Sequence, residues 1–172
     1  MNNNAKKGSG VMTVAQQKSR SLLNVLLLGS MALAAPTRAD WVAGVTTDID
    51  TSGIGAVVEH HWQDFGAIGA LSGNIAVAGR IDADGDGWVG AGVAGRYRFG
   101  GKFFVEGSFM PGLYRTGDTD LGGSLQFRSL IGAGYELNED MAVSITIDHL
   151  SNGSTQTDNP GSDAVMLRFT FR

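Results

Sequence analysis

Apolar and polar residues alternate with a period of two along most of the chain after residue 40. The alternation is clearest in residues 165–171, where Val, Leu, Phe and Phe are separated by Met, Arg and Thr. Because successive side chains of a β-strand point to opposite faces, this period predicts strands rather than helices. The predicted strands lie at about 41–49, 53–62, 71–81, 89–99, 102–110, 125–136, 143–148 and 163–172. The sequence therefore predicts an all-β fold of eight strands.

Each predicted strand has one apolar face and one face of small and charged residues. The charged residues of the second face are Glu59, Arg80, Arg96, Arg98, Glu106, Arg128, Glu136, Asp148 and Arg168. A soluble barrel buries its apolar face, whereas a transmembrane barrel turns that face to lipid, and alternation alone fits both. Strands of roughly 9–12 residues have the length of a tilted strand that crosses a bilayer.

The first 39 residues are typical of a secretory signal peptide. Basic residues precede an apolar run at 22–34, which is too short to span a bilayer as a helix. Thr37-Arg38-Ala39 is a small-x-small cleavage site, and cleavage after Ala34 is the alternative. We therefore expect a mature chain of residues 40–172 that is exported to the envelope.

Three features favour the transmembrane barrel: the signal peptide, an aromatic last strand and aromatic residues near the strand ends. The connections fall into short turns, at Gly100-Gly101 and 137–140, and longer loops, at 110–123 and 151–162. Short periplasmic turns and long external loops are the rule for outer-membrane barrels. The prediction is an eight-stranded antiparallel transmembrane β-barrel of the bacterial outer membrane. Its aromatic strand-end residues are Trp41, Trp62, Tyr97, Phe99, Tyr135, Phe169 and Phe171.

Composition narrows the chemistry that the barrel can carry. The chain has no Cys, which excludes disulfides, thiolate metal sites and a cysteine nucleophile. Its formal net charge of -4 argues against a nucleic-acid partner. The acidic run at 82–87 resembles the start of a calcium loop, but Val93 stands where that loop needs a glutamate. We expect an acidic external turn there, and no metal site.

Polar residues interrupt the apolar face at the last hairpin. His149 and Ser151 are two residues apart at the end of a strand, and Asp163 begins the next strand, all three in phase with apolar neighbours. A polar side chain on a lipid-facing surface is energetically costly, so a polar residue without a function is not expected at any of the three positions. Together they supply a nucleophile, a base that accepts its proton and a carboxylate that orients the base. The non-catalytic alternative is a histidine at the membrane interface beside an ordinary Ser-Asn-Gly turn.

This segment resembles the lipid A 3-O-deacylase (PagL) family. Members have a His-x-Ser-Asn motif and an acidic residue twelve positions after the Ser, matched by His149, Ser151 and Asp163. The Asn-x-Gly-x-acid run before that residue is also present, as Asn159, Gly161 and Asp163. The resemblance implies an outer-membrane serine esterase that removes the 3-position acyl chain of lipid A. It implies a Ser-His-Asp triad, lipopolysaccharide as substrate, and no cofactor.

The oxyanion hole of such an esterase would come from Asn152, through its side chain or amide, and from the amides of Gly153 and Ser154. Two departures from the family accompany the match. Members commonly have Asn-Ala-Gly after the serine where this chain has Asn-Gly-Ser, and the best-known members carry Glu where this chain has Asp163. Asp is one methylene shorter, so it reaches His149 only if the two strand ends lie close together.

Two other functions fit the same sequence. A non-catalytic structural or adhesive barrel would use its external loops and tolerate replacement of His149, Ser151 and Asp163. A soluble periplasmic barrel would bind a lipid inside. The oligomeric state stays open, although a homodimer would shield the exposed site.

Overall fold

The computed structural model describes residues 39–49 and 53–172, and the predicted signal peptide lies almost wholly outside these residues. Eight strands make up the described chain. They are β1 (Asp40–Asp48), β2 (Ile54–Ile68), β3 (Leu71–Asp82), β4 (Gly87–Arg98), β5 (Phe103–Arg115), β6 (Leu125–Glu136), β7 (Met141–Ser151) and β8 (Ser162–Phe171). A search of the described residues for a helix able to cross a membrane finds none.

The strands form one closed antiparallel barrel in sequence order, in which β8 pairs with β1. This confirms the predicted fold. The connections 83–86, 116–124 and 152–161 lie at one end, which we call the outer rim, together with the end of β1 and the start of β2. The turns 69–70, 99–102 and 137–140 lie at the other end, the inner rim. The Gly100-Gly101 turn is confirmed by positive φ angles of 93° and 67°.

The predicted loop at 110–123 is wrong in its first part, because β5 continues to Arg115. The segment is rich in Gly, Asp and Thr, which suggested a loop, yet Met110 and Tyr114 are buried inside the barrel as strand residues. Pro111 has no N–H to donate, and the ladder to β4 skips Met110 and Pro111 but resumes at Gly112 in the same register. Strand β2 also exceeds its predicted end at residue 62, with register shifts between His61 and Gln63 and between Asp64 and Ala67.

The apolar face of the barrel is its exterior. Val45, Ile81, Ile131 and Ile145 each expose more than half of their surface, whereas Arg128 and Asp148 are completely buried inside. No soluble barrel leaves so large an apolar surface in water, since it would associate or precipitate. The exterior is that of a protein whose solvent is the hydrocarbon of a membrane. The predicted assignment of the two faces is therefore confirmed.

A connected ionic network runs through the interior. Arg128 binds Glu59 at 2.7 Å and Asp148 at 2.8 Å, and Glu59 also binds Arg168 at 2.7 Å. Further ion pairs extend the network in both directions: Arg168–Glu106, Glu106–Arg96, Arg96–Glu136, Glu136–Arg172, Arg80–Asp148 and Arg80–Asp48. Each charge in this network thus has an oppositely charged partner, which offsets the large cost of removing it from water.

Replacing Arg128 by methionine is expected to lower the free energy of unfolding by about 3–5 kcal/mol, because Glu59 and Asp148 would lose a buried partner. Urea titration of the barrel, followed by its heat-dependent gel mobility, measures this change. The matched control is Lys102→Met, since Lys102 is exposed at the inner rim and an exposed charge contributes at most about 1 kcal/mol. Equal stability of the two variants would contradict the network's role.

Exposed aromatic side chains collect at the inner rim. Tyr97 packs edge-on against Phe99 at 5.1 Å between ring centroids, and Phe103 packs against Tyr135 at 5.0 Å. Rings of this kind mark the level where hydrocarbon meets the head groups. The outer rim therefore lies at the opposite face of the membrane, and by the loop-length rule it faces outward.

The outer end of the barrel is closed by its own loops. Leu121, from the loop 116–124, is completely buried in a cluster with Trp88, Met110 and Leu150. The Asp86 carboxylate accepts hydrogen bonds from the backbone of Gly117 and Thr119, which ties the loop 83–86 to the loop 116–124. The predicted acidic turn thus serves as a brace between loops, and the rim around it is firmly held.

Candidate active site

Strands β7 and β8 bring the three predicted catalytic residues to one place on the outside of the barrel. His149 lies directly opposite Asp163 across the β7–β8 pairing, and Ser151 ends β7 two residues later. All three share the face of Ile145, Ile147 and Val165, so they project toward lipid at the outer rim. The His149 and Asp163 side chains are about half exposed, at 49% and 51%.

His149 and Asp163 are hydrogen-bonded, with 2.8 Å between Nδ1 and Oδ1. An ionised carboxylate only accepts, so the bond requires a proton on Nδ1 and leaves Nε2 as the basic nitrogen of a neutral ring. The direct cross-strand register explains why aspartate is long enough here. A histidine that acts as the base for a serine nucleophile requires a carboxylate that fixes its tautomer in this way.

The Ser151 hydroxyl lies on the same face as the imidazole, two residues along the strand. Within the described residues no hydrogen bond joins Ser151 to His149, and such bonds often tighten only when substrate is present. A second hydroxyl, Ser129 on β6, lies directly across from His149 and is also exposed. Ser129 is therefore the natural control for any test of the nucleophile.

Asn152 anchors the backbone that follows the serine. Its side-chain amide, completely buried, donates to the carbonyl oxygens of Asp158 at 2.6 Å and Leu121 at 3.3 Å. Its backbone N–H donates to Asn159 Oδ1 at 2.9 Å. Both kinds of Asn152 donor are thus already engaged, and the residue joins the loop 152–161 to the loop 116–124. This arrangement suits a supporting role better than direct contact with an oxyanion.

Gly153 and Ser154 form the centre of a tight turn closed by the Thr155 N–H, which donates to the Asn152 carbonyl at 3.1 Å. Their φ angles are 62° and 61°, and φ is positive at both central residues of a type I′ turn. Within the described residues, neither of their backbone N–H groups is taken by another hydrogen bond. These two amides are the available donors beside Ser151. The Asn-Gly-Ser sequence therefore folds into a turn of the kind that glycine favours, with a serine at the second left-handed position.

Gly161 leaves the space that the His149 imidazole occupies. A Cβ atom added there would lie 3.0 Å from Cε1 of His149 and 3.7 Å from Nε2. The residue has a φ of 72°, so the loop needs glycine for conformation as well as for space. In the motif Asn159-x-Gly161-x-Asp163, the first residue accepts the Asn152 N–H, the second leaves space for the imidazole and the third is hydrogen-bonded to it.

If the site carries the ester hydrolysis that the sequence predicts, the variant Gly161→Ala is expected to lower kcat by about tenfold to 10²-fold, because the added Cβ displaces the imidazole. Hydrolysis of a dispersed acyl ester by the purified barrel measures this effect. The control is Gly100→Ala in the inner-rim turn, where φ is 93° and an added Cβ meets nothing within 4 Å. Both variants bear a left-handed alanine, but only one touches the ring, so an equal loss in both would contradict the assigned contact.

Sequence reasoning singled out Asn159 and Gly161 as motif positions without assigning them a role. The structure adds Asp158 and Leu121, whose carbonyl oxygens hold the Asn152 amide. No sequence signal distinguishes these two, because only their backbone atoms take part. Their contribution depends on how two loops meet.

Comparison with known proteins gives a family match over most of the chain. Residues 41–172 match the family model described as Lipid A 3-O-deacylase (PagL). A relative described as Lipid A deacylase PagL, from Bordetella bronchiseptica, is 28% identical over 80 residues. That alignment covers 45% of this chain and 45% of the relative, so it spans less than half of either protein.

Solved structures agree on the fold. One described as the crystal structure of the outer membrane enzyme PagL has a TM-score of 0.67 and 23% identity, covering 77% of this chain and 99% of that chain. A de novo designed transmembrane β-barrel has a TM-score of 0.55 and 12% identity, covering 80% and 97%. Both likenesses concern the barrel architecture.

Proposed function

The chain belongs to the lipid A 3-O-deacylase (PagL) family, and from this premise we propose that it hydrolyses the ester that joins the 3-position acyl chain to lipid A. It is an outer-membrane β-barrel with an apolar exterior. We assign the nucleophile to Ser151, the general base to His149 and the orienting acid to Asp163. The reaction needs no cofactor, since an ester is cleaved with water as the only co-reactant.

One observation carries the proposal: a hydrogen-bonded His149–Asp163 pair and a serine project together from the lipid-facing side of the outer rim. An enzyme for a water-soluble ester would have no reason to place its site there. The outer leaflet of such membranes consists largely of lipid A, whose ester bonds lie at this level. The substrate would meet Ser151 from the side without leaving the membrane.

In the acylation step, His149 Nε2 takes the Ser151 proton while Oγ attacks the ester carbonyl carbon. The negative charge that develops on the carbonyl oxygen is stabilised by the Gly153 and Ser154 N–H groups, which follow the serine directly and have no acceptor among the described residues. Asn152 and Asn159 act as positioning residues, because they hold the backbone that carries these donors.

The tetrahedral intermediate collapses when the protonated His149 gives its proton to the departing sugar oxygen at position 3. The product is lipid A that lacks one 3-hydroxyacyl chain and has a free 3-hydroxyl group. A water molecule, deprotonated by His149, then attacks the acyl-Ser151 carbonyl and releases the fatty acid. The half exposure of His149 and Asp163 gives this water access from the rim.

The variant Asp163→Asn is expected to lower kcat by about 10²- to 10⁴-fold, because an amide at this position no longer holds the tautomer with a basic Nε2. Asp163→Glu keeps the carboxylate and is expected to retain most of the activity. Steady-state hydrolysis by the two purified variants makes the comparison. If the amide variant were as active as the glutamate variant, Asp163 would have no role as the orienting acid.

The position of cleavage tests the substrate assignment. Purified barrel is incubated with bisphosphorylated lipid A that carries its full set of acyl chains, and with lipid A that already lacks the 3-position chain. Tandem mass spectrometry is expected to find one 3-hydroxyacyl chain removed from the first and none from the second. Loss of a chain from another position, or equal cleavage of both lipids, would contradict the proposal.

A homodimer that shields the half-exposed site stays a prediction. Cross-linking of the barrel in native membranes distinguishes it from a monomer.

A further inference from the structure

The barrel exterior has a depression at the outer-rim ends of β2 to β5. It has a volume of about 550 Å³, and its walls come mainly from Val58, Ile81, Val89 and Leu113. These side chains face lipid, and Ile81, Val89 and Leu113 each expose 60% or more of their surface. In size and chemistry the groove fits a stretch of acyl chain.

The floor of the groove consists of Gly79 and Gly87, and their local structure does not demand glycine. A Cβ on Gly79 would meet only the Trp88 carbonyl oxygen, at 4.0 Å, and one on Gly87 would have its nearest neighbours at 3.8 Å. By contrast, a Cβ on the inward-facing Gly90 would lie 2.3 Å from the Trp88 ring. Glycine weakens a strand interior, and one reason for its presence where packing does not require it is the close approach of a ligand.

Arg115 stands at the outer end of the groove. It is the last residue of β5, pairs with Gly87 across the β4–β5 ladder and is exposed. Within the described residues it has no carboxylate within ion-pair distance, whereas the other described arginines all have one. The Asp82 and Asp86 carboxylates of the nearby loop accept backbone hydrogen bonds. An unpaired guanidinium at this level matches a phosphate group geometrically and electrically.

We propose that this groove is a second, non-catalytic lipid A site, with an acyl chain between Ile81 and Leu113 and a phosphate of the same molecule on Arg115. The occupant is lipid A because the phosphate contact lies at the outer rim, where the outer leaflet has its head groups. A site for an inner-leaflet phospholipid would need its cation at the other end of the strands.

The groove lies on the side of the barrel away from the active site. In the closed strand order, the β3–β4 pair is separated from the β7–β8 pair by two strands in either direction. A lipid bound there cannot reach Ser151. The inference stands on the groove and on Arg115, and it does not depend on the proposed hydrolysis.

The test counts bound lipids by native mass spectrometry of the purified barrel in detergent. All proteins carry Ser151→Ala, so that no lipid is cleaved, and the probes are bisphosphorylated lipid A and phosphatidylglycerol. Gly79→Leu fills the groove and Arg115→Gln removes the charge. The matched controls are Gly95→Leu, on the lipid face of β4 near the inner rim, and Lys102→Gln, an exposed cation of the inner-rim turn. Heat-dependent gel mobility establishes that each variant is folded.

We expect a second equivalent of lipid A to be retained by the Ser151→Ala protein and by both controls. Gly79→Leu and Arg115→Gln are each expected to lower its retention by roughly tenfold. Equal retention by all variants would overturn the site, and an effect of Gly79→Leu alone would overturn the phosphate contact. Preferential retention of phosphatidylglycerol would overturn lipid A as the occupant. If the wild-type protein cleaves no lipid, the proposed triad is contradicted. The numbers of bound lipids are unaffected by that result, because they are measured on proteins that all carry Ser151→Ala.

Discussion

Replacing Ser151 by alanine is expected to lower kcat for lipid A deacylation by roughly 10⁴- to 10⁶-fold, with little change in KM. In the proposed mechanism the Ser151 hydroxyl oxygen forms the acyl-enzyme, so its loss removes the covalent route entirely. The amides of Gly153 and Ser154 remain in place, and substrate binding to the apolar exterior is untouched. Initial rates with purified barrel and dispersed lipid A measure the two constants separately.

The control for this prediction is Ser129→Ala. Ser129 lies directly across from His149 and presents a second exposed hydroxyl to the same ring. We expect Ser129→Ala to retain kcat within about threefold, since Ser129 lies outside the His149-x-Ser151-Asn152 motif and, unlike Ser151, does not precede the turn at 152–155. If activity disappears with Ser129→Ala and survives in Ser151→Ala, the nucleophile has been assigned to the wrong strand.

Replacing His149 by glutamine is expected to have an effect of the same size, a fall in kcat of roughly 10⁴-fold or more. Glutamine keeps a polar side chain opposite Asp163 but has no basic nitrogen to accept the Ser151 proton. Because serine and histidine act as a unit, the double variant Ser151→Ala/His149→Gln is expected to be little slower than either single variant.

That non-additivity separates catalysis from folding. If the losses of the two variants multiplied, His149 would act independently of Ser151, for example by supporting the structure of the hairpin. The exposed position of His149 allows the comparison, since a half-exposed side chain at the rim contributes little packing. Gel mobility of the heated and unheated variants checks that each barrel is closed.

Alternation of residue types was enough to predict eight strands and to identify the residues of each face. The charged residues that it assigned to the polar face, such as Arg128 and Arg168, are buried inside in mutual ion pairs. The choice between a soluble and a transmembrane barrel needed other evidence, namely the signal peptide, the aromatic strand ends and the loop lengths. The structure supports that choice by exposing apolar residues such as Ile131.

The C-terminal end of β5, at Arg115, could not be predicted from the sequence. Pro111 and Gly112 disfavour a strand locally, but β5 lies between β4 and β6, and pairing on both sides carries it past the proline. Such a tertiary constraint leaves no local signal. The same holds for the cluster around Leu121, which forms only once the loops fold over the barrel.

For the site, sequence spacing predicted which residues share a face of the barrel. The pairing register of β7 and β8 adds which residues lie opposite each other across the two strands. The distance of twelve residues between Ser151 and Asp163 does not say that Asp163 faces His149 across two strands. The supporting role of Asn152 was also hidden, because its partners are carbonyl oxygens of residues that the pattern does not mark.

The most direct test of the account is mass spectrometry of lipid A extracted from cells that express the wild-type chain, Ser151→Ala or an empty vector. Cells with the wild type are expected to contain lipid A that lacks one 3-hydroxyacyl chain, while the other two contain only the complete lipid. Equal barrel amounts in the outer-membrane fraction make the comparison valid. Complete lipid A in wild-type cells, or the shortened species in Ser151→Ala cells, would contradict the assignment of an esterase built on Ser151.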